Sequence, residues 1–152
     1  MASEEKNRER GGVIPYYVEG ENILMMFMKP SDKNYGGENF QIAKGKIEDG
    51  ETPLEGAFRE AKEELGLFGP NVIHSNPLGR FGKIHIFLAK IKNPDMFGDT
   101  THETGAVTWW TPEQFDKEGR VWQRPIVRAA VRKIKKLENL DENTRAMDRY
   151  RR

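Results

Sequence analysis

The chain has 152 residues, 32% of them charged, and a formal net charge of +1. It is long enough to bury the core of one domain and has no global excess of positive charge to draw it to nucleic acid. There is no cysteine, which removes disulfides, thiolate metal sites and cysteine nucleophiles together. No apolar run approaches a membrane span and the start is charged rather than signal-like, so a cytoplasmic protein with no membrane partner is expected.

In chain order, residues 1–10 are nearly all polar and read as a flexible tail. Residues 13–18 and 23–28 are apolar runs joined by Glu19-Gly20-Glu21-Asn22, which predicts a β-hairpin. Met25, Met26 and Met28 in the second run read as core filler. Residues 30–38 form a polar, glycine-rich loop, and residues 40–43 a short strand leading to Gly45. Gly45 and Gly50 bracket a tight loop where backbone approaches a ligand closely.

Thr52-Pro53-Leu54-Glu55 is a capping box with proline at the first helical position. Leu54, Ala57, Phe58, Ala61 and Leu65 recur at helical spacing, and Gly66 suits the C′ position. A helix over residues 53–65 follows. Its other face carries Glu60, Glu63 and Glu64, neighbours on the helix with no lysine four residues on. Such carboxylates repel one another unless a cation lies between them. An all-oxygen set suits Mg²⁺, which is held by a few carboxylates together with substrate phosphates. The bland alternative is an amphipathic helix with a solvated glutamate face.

Residues 72–75 and 84–91 are further strands, 93–104 a long polar loop, and 106–110 a last strand whose alternation turns Trp109 and Trp110 to opposite faces. Thr111-Pro112-Glu113-Gln114 repeats the cap pattern and opens a short helix. Pro125 opens a final helix to about residue 140, with Ile126, Val127, Ala130, Val131, Ile134 and Leu137 on its apolar face. Residues 141–152 are a charged tail. Strands and helices mix without regular alternation, so a mixed sheet between helices is expected, in one domain over residues 11–140.

Residues 45–67 resemble the Nudix box, G-x5-E-x7-R-E-U-x-E-E-x-G-U with U a bulky aliphatic. Gly45, Glu51, Arg59, Glu60, Glu63, Glu64, Gly66 and Leu67 match in place; Ala61 is smaller than the usual aliphatic, at a packing position. The resemblance implies an α/β/α sandwich with a mixed sheet. It also implies hydrolysis of a diphosphate linkage with Mg²⁺, for which Mn²⁺ is the substitute. By position it implies that Glu60, Glu63 and Glu64 bind metal, joined by the carbonyl of Lys44, while Gly45, Glu51, Arg59 and Gly66 support the loop and helix, Glu51 and Arg59 as an ion pair. For the general base it points to Glu103, in the loop before the last strand, with Glu60 as the competitor. His102 is a weaker third; His85 reads as structural or cleft-lining, and His74 carries no signal.

Residues 41–47 are similar to the P-K-G-K-[IV] lead-in of diadenosine polyphosphate hydrolases and mRNA-decapping Nudix enzymes, with Ala43 in place of proline. Lys44 and Lys46 are the phosphate contacts this implies. The downstream proline of ADP-ribose and NADH branches and the tyrosine marker of some dinucleoside polyphosphate enzymes are both missing, so no one specificity is selected. For the nucleobase, Tyr16, Tyr35, Phe40, Phe81 and Trp122 are stacking candidates. Residues 120–136 hold seven basic residues and no acidic one, with Arg128, Arg132 and Lys136 at helical spacing. They read either as a solvated helix face or as a grip on a polyphosphate or an RNA 5′ end. Three functions are expected from this: a pyrophosphohydrolase of small nucleotides such as dinucleoside polyphosphates or ADP-ribose-like compounds, an RNA 5′-end hydrolase, or a non-catalytic nucleotide-binding module. Nudix proteins are often homodimers, and that assembly is carried with them.

Overall fold

The hairpin signal at Gly20 produces β1 (Arg10–Glu19) and β2 (Asn22–Pro30), antiparallel with Tyr16 opposite Met25, and Gly20 takes the positive φ of 65° that the turn needs. In this computed structural model residues 8–140 are described. The tail expected over 141–152, and the first seven residues of the other, lie outside them. Strand β3 (Ala43–Lys46) runs antiparallel to the start of β1; β4 (Val72–Phe81) and β5 (Ile84–Ile91) form a second hairpin; β6 (Thr104–Trp110) pairs with β2. Because β5 lies parallel to β1 while the other pairs are antiparallel, the sheet is mixed, in the order β4-β5-β1-β2-β6 with β3 beside β1.

One edge of β1 is divided between two partners. Residues 10–13 face β3 and residues 16–19 face β2. The two partners are linked by the bridge of Met28 with Gln41, whose backbone N–H groups each donate to the other's carbonyl at 2.9 and 2.8 Å. This split starts the cleft described below.

The period-two alternation of strands sorts side chains to the two faces. Ile14, Tyr16, Met25, Phe27, Ile86 and Leu88 point to one side, where α2 (Pro112–Glu118) and α3 (Arg124–Leu137) cover them with Phe115, Ile126, Val127, Ala130 and Ile134. Val13, Ala89 and Ile91 point to the other side against Ala57 and Ala61 of α1 (Pro53–Leu65), with Met26, Met28, Ala43 and Leu65 beside them. The result is the α/β/α sandwich. Ala61, where the box usually has a larger aliphatic, is fully buried in this contact. The helix comes so near β1 that a Cβ on Gly11 would lie 3.0 Å from the Ala57 Cβ and from the Pro53 carbonyl oxygen. No described helix is long and apolar enough to cross a membrane.

Several boundaries differ from expectation. Strand β1 begins at Arg10, inside the expected tail, and the two residues before it are engaged: Arg8 Nε donates to the Ile47 carbonyl at 2.8 Å and Glu9 pairs with Arg80 and His85. Strand β3 starts at Ala43, not residue 40, because Phe40 turns into the core margin against Trp110, 4.9 Å between ring centroids. Strand β4 continues to Phe81, six residues past expectation. It is an edge strand with register shifts at Val72/His74 and Pro77/Gly79, and an edge is where a proline is tolerated. Helix α3 stops at Leu137, and both Leu137 and Leu54, expected in apolar stripes, are exposed.

Candidate active site

Helix α1 forms as its local signals require. Thr52 Oγ1 accepts from the Glu55 N–H at 3.1 Å, Glu55 Oε1 accepts from the Thr52 N–H at 3.0 Å, and Gly66 ends the helix at φ 75°. Arg59 sews the preceding loop to it. Its Nε and Nη2 donate to the two Glu51 oxygens at 2.8 and 3.1 Å, Nη2 also to the Lys46 carbonyl at 2.9 Å, and Nη1 to Glu60 Oε1 at 3.0 Å. Glu51 further accepts from the Glu48 N–H at 2.8 Å. Paired so, Arg59 is pushed above its ordinary pKa, first by the Glu51 hydrogen bond, and Glu51 is held below its own, first by that same bond. A lysine cannot reproduce this fork. Arg59→Lys is expected to lower Tm by about 5 °C, the order for losing one or two charge-assisted hydrogen bonds in a domain this size. Calorimetry checks it, and an unchanged Tm would show the fork to be dispensable.

The carboxylates beyond Arg59 differ in surroundings. Glu60 lies beneath Gly45, where a Cβ would collide with its carboxyl group. Burial pushes its carboxyl up; Arg59 opposes this, and Glu63 and Glu103 add to it. Glu64 Oε2 accepts the Lys44 backbone N–H at 2.9 Å. Burial first, then the Glu60 charge, pushes Glu64 up to about 8, with the Lys44 N–H and ammonium opposing and Glu103 adding. Glu63 is more exposed and leans toward Arg59, 3.5 Å away.

Glu103 reaches this group because its loop is fastened to the end of α1. Gly98 N–H donates to the Gly66 carbonyl at 2.8 Å, Thr101 N–H to the Glu63 carbonyl at 2.9 Å, and Thr104 Oγ1 to the Glu64 carbonyl at 2.9 Å. Buried Asn71 holds the loop's start through the Asn93 and Met96 carbonyls. Beyond it, Ser31 N–H donates to the Glu103 carbonyl at 2.9 Å.

Glu64, Glu103, His102, Lys44 and Lys46 line one cleft of about 720 Å³, with Met28 and Ile42 on its floor. Lys44 is brought down to about 8, by burial first and then by Arg10 and Arg120. Of the expected stacking residues, Tyr35 is 80% exposed on the cleft's lip. Trp122 is half-exposed, with the Arg120 guanidinium 5.2 Å and the Lys44 ammonium 5.7 Å from its ring centroid. Phe40 and Phe81 pack against the core and Tyr16 is fully buried within it, so none of these three lines the cleft. His85 bonds Glu9 at 3.0 Å, outside the cleft. Of the basic run, only Arg120 enters. Arg124 donates to the Gly119 and Lys117 carbonyls at 3.0 Å each, Arg128 pairs with Asp116 at 2.8 Å, and Arg132 and Lys136 do not line the cleft. Arg10 and Gln41 also line the cleft; in the sequence Arg10 belongs to a polar stretch and Gln41 to a strand signal, and neither carries a local mark of the site.

The donor set suits a hard divalent cation. It is all oxygen, neighbouring carboxylate charges help to raise the pKa of Glu60 and of Glu64, and the backbone glycine at 45 leaves room for the Glu60 carboxyl group. Among the described residues no three acidic or histidine side chains already stand close enough together to hold a metal, and Glu63 would have to turn away from Arg59 to join one.

The NUDIX domain profile matches residues 7–130. An uncharacterized Nudix hydrolase of Rhodococcus erythropolis is 26% identical over 115 residues, which are 68% of this chain and only 62% of that protein. An RNA pyrophosphohydrolase of Vibrio vulnificus is 51% identical over 35 residues, 23% of this chain and 20% of that one. In fold, the Caenorhabditis elegans Ap4A hydrolase in a binary complex is similar with a TM-score of 0.67 and 21% identity, over 84% of this chain and 97% of that chain. The NUDIX domain of Shewanella oneidensis NrtR complexed with ADP ribose has a TM-score of 0.65 and 10% identity, over 82% and 86%. With the domain profile matching most of its length, this chain belongs to the Nudix hydrolase family.

Proposed function

We propose that the protein is a Mg²⁺-dependent pyrophosphohydrolase that cleaves the diphosphate linkage of nucleoside diphosphate derivatives, dinucleoside polyphosphates or ADP-ribose-like compounds. The observation that carries this reading is that Glu64 and Glu103 line a cleft that also holds Lys44 and Lys46, with Glu60 close enough to couple electrostatically to both carboxylates. Glu60, Glu63, Glu64 and the Lys44 carbonyl would hold the ion. A divalent ion there supplies charge for the phosphate oxygens and acidifies a bound water. Lys44 and Lys46 orient the phosphate chain by their charge. Water attacks phosphorus, the anhydride P–O bond breaks, and a carboxylate takes the water's proton. Glu103 fits that last role better than Glu60, because it lines the cleft whereas Glu60 is bound to Arg59 at 3.0 Å beneath Gly45.

Product chromatography on ADP-ribose, FAD, NADH, diadenosine polyphosphates, nucleoside triphosphates and 5′-triphosphate RNA, with Mg²⁺ and with EDTA, tests this. Cleavage of a diphosphate linkage that stops in EDTA is expected; binding without cleavage of any compound would contradict it and favour a nucleotide-binding module.

A second reading, hydrolysis at an RNA 5′ end, is favoured by the local identity to the Vibrio RNA pyrophosphohydrolase. Because Arg132 and Lys136 lie away from the cleft, replacing both with alanine is expected to change RNA and dinucleotide turnover alike, within about twofold. A selective loss of about tenfold on RNA would instead make α3 an RNA-binding face.

A further inference from the structure

Three cations of the cleft, Arg10, Lys44 and Arg120, lie close enough that both guanidinium groups act electrostatically on the lysine, while the Glu64 and Glu60 charges act on it in the opposite sense without reaching ion-pair distance. Like charges grouped in a partly buried cleft are unfavourable unless each meets a counter-charge. Elsewhere the chain supplies one: Arg59, Arg80, Lys90 and Arg128 are each ion-paired. No carboxylate of the described residues forms an ion pair with Arg10, Lys44 or Arg120.

Arg120 is fixed in place without being neutralised. Its Nη1 donates to Gln41 Oε1 at 2.7 Å, and Gln41, 4% exposed, donates in turn to the Gly36 carbonyl at 2.7 Å. The guanidinium rests against Trp122. An amide therefore occupies the position from which a carboxylate would cancel the charge. Lys44 likewise rests on the Trp122 ring with no acidic partner at ion-pair distance. A preorganised, unpaired guanidinium beside a second guanidinium and an ammonium is the chemistry that takes a phosphoryl group, with the arginine fork bonding two of its oxygens.

In the pyrophosphohydrolase reading, the carboxylate cluster with a divalent ion would answer the diphosphate that is cut. We propose that Arg10, Lys44 and Arg120 form a subsite for an additional phosphoryl group, so that the preferred ligands are polyphosphate chains of three or more phosphoryl groups rather than simple diphosphates. For hydrolysis this rests on the pyrophosphohydrolase reading; for binding it does not.

Two measurements keep the two claims separable. Calorimetric titration in EDTA compares inorganic tripolyphosphate with inorganic pyrophosphate. Wild type is expected to bind tripolyphosphate at least about tenfold more tightly, and Gln41→Glu, which places a carboxylate against Arg120, and Arg120→Gln are each expected to bring that ratio close to one. Gln41→Glu is near-isosteric, so it stands as the test should Arg120→Gln fail to fold. With Mg²⁺, kcat/KM is expected to rise at least about tenfold from diadenosine diphosphate to diadenosine tetraphosphate, and to fall about tenfold more for the tetraphosphate than for the diphosphate in either variant. A wild-type preference of one, or a preference both variants keep, overturns the subsite. Tripolyphosphate preference without any hydrolysis would leave the subsite standing and sink the enzymatic reading.

Discussion

Glu64→Gln is expected to lower kcat by at least about a thousandfold, roughly 4 kcal/mol of transition-state stabilisation, while the protein stays folded. The amide oxygen can still accept the Lys44 N–H, so the β3–α1 contact should survive; what would be lost is the anionic ligand of the proposed metal site. The same substitution should stabilise the metal-free protein at alkaline pH. Glu64 ionises at about 8 in the folded chain, against 4.5 as a free side chain. Between those values the folded state holds a proton that the unfolded state has released, so stability falls as pH rises through that window. The variant has no proton to lose there. In EDTA its Tm should match wild type near pH 4 and exceed it increasingly toward pH 8, by an amount worth a few kcal/mol, since a tenfold difference in proton affinity corresponds to about 1.4 kcal/mol. Turnover by Glu64→Gln within tenfold of wild type would remove Glu64 from the site.

The second large effect is at Gly66. Its φ of 75° lies in the left-handed region, and a Cβ there would strike the Gly98 backbone carbonyl. Unlike a flexible side-chain tip, that backbone is held, because Gly98 N–H bonds Gly66 itself. Gly66→Ala should cost on the order of 2–4 kcal/mol, from the unfavourable φ and the displaced loop. The loop that moves is the one carrying Glu103, so kcat should fall more than KM rises in whatever fraction remains folded. Urea unfolding and steady-state kinetics measure both. Wild-type stability would mean that the Gly66–Gly98 contact yields without cost.

These two residues also mark where the sequence was informative. Thr52, Pro53, Glu55 and Gly66 act on backbone groups within a few residues of themselves, so α1 could be bounded correctly from the chain alone. The carboxylate face and the Arg59–Glu51 pair followed, being spaced along one helix and its adjoining loop. Strand β4 could not be bounded, because beyond residue 75 it is an edge strand carrying a proline and a glycine, and the register shift at Pro77/Gly79 brings Leu78 and Phe81 to the core without an alternating pattern. The cleft's cations were the least visible. Arg120 sits at the head of a basic run whose next two arginines serve the local α2–α3 connection, and nothing local separates it from them. Arg10 looked like the end of a tail. What unites Arg10, Gln41 and Arg120 is the division of β1 between two partner strands, a long-range pairing not encoded in any short window.

A carboxylate cluster that serves as a centre for a divalent cation must exchange protons for metal. Titration of Mn²⁺ and Mg²⁺ into metal-free wild type and Glu64→Gln, followed by calorimetry in buffers of different ionisation enthalpy, measures that exchange. A ligand that ionises at about 8 must give up its proton on binding metal, so wild type should release close to one proton per ion at about pH 6.5, falling toward none above about pH 9. In Glu64→Gln affinity should drop at least about tenfold and that proton release should vanish. Equal affinity in the two proteins, with no proton released by either, would contradict a metal centre at these carboxylates.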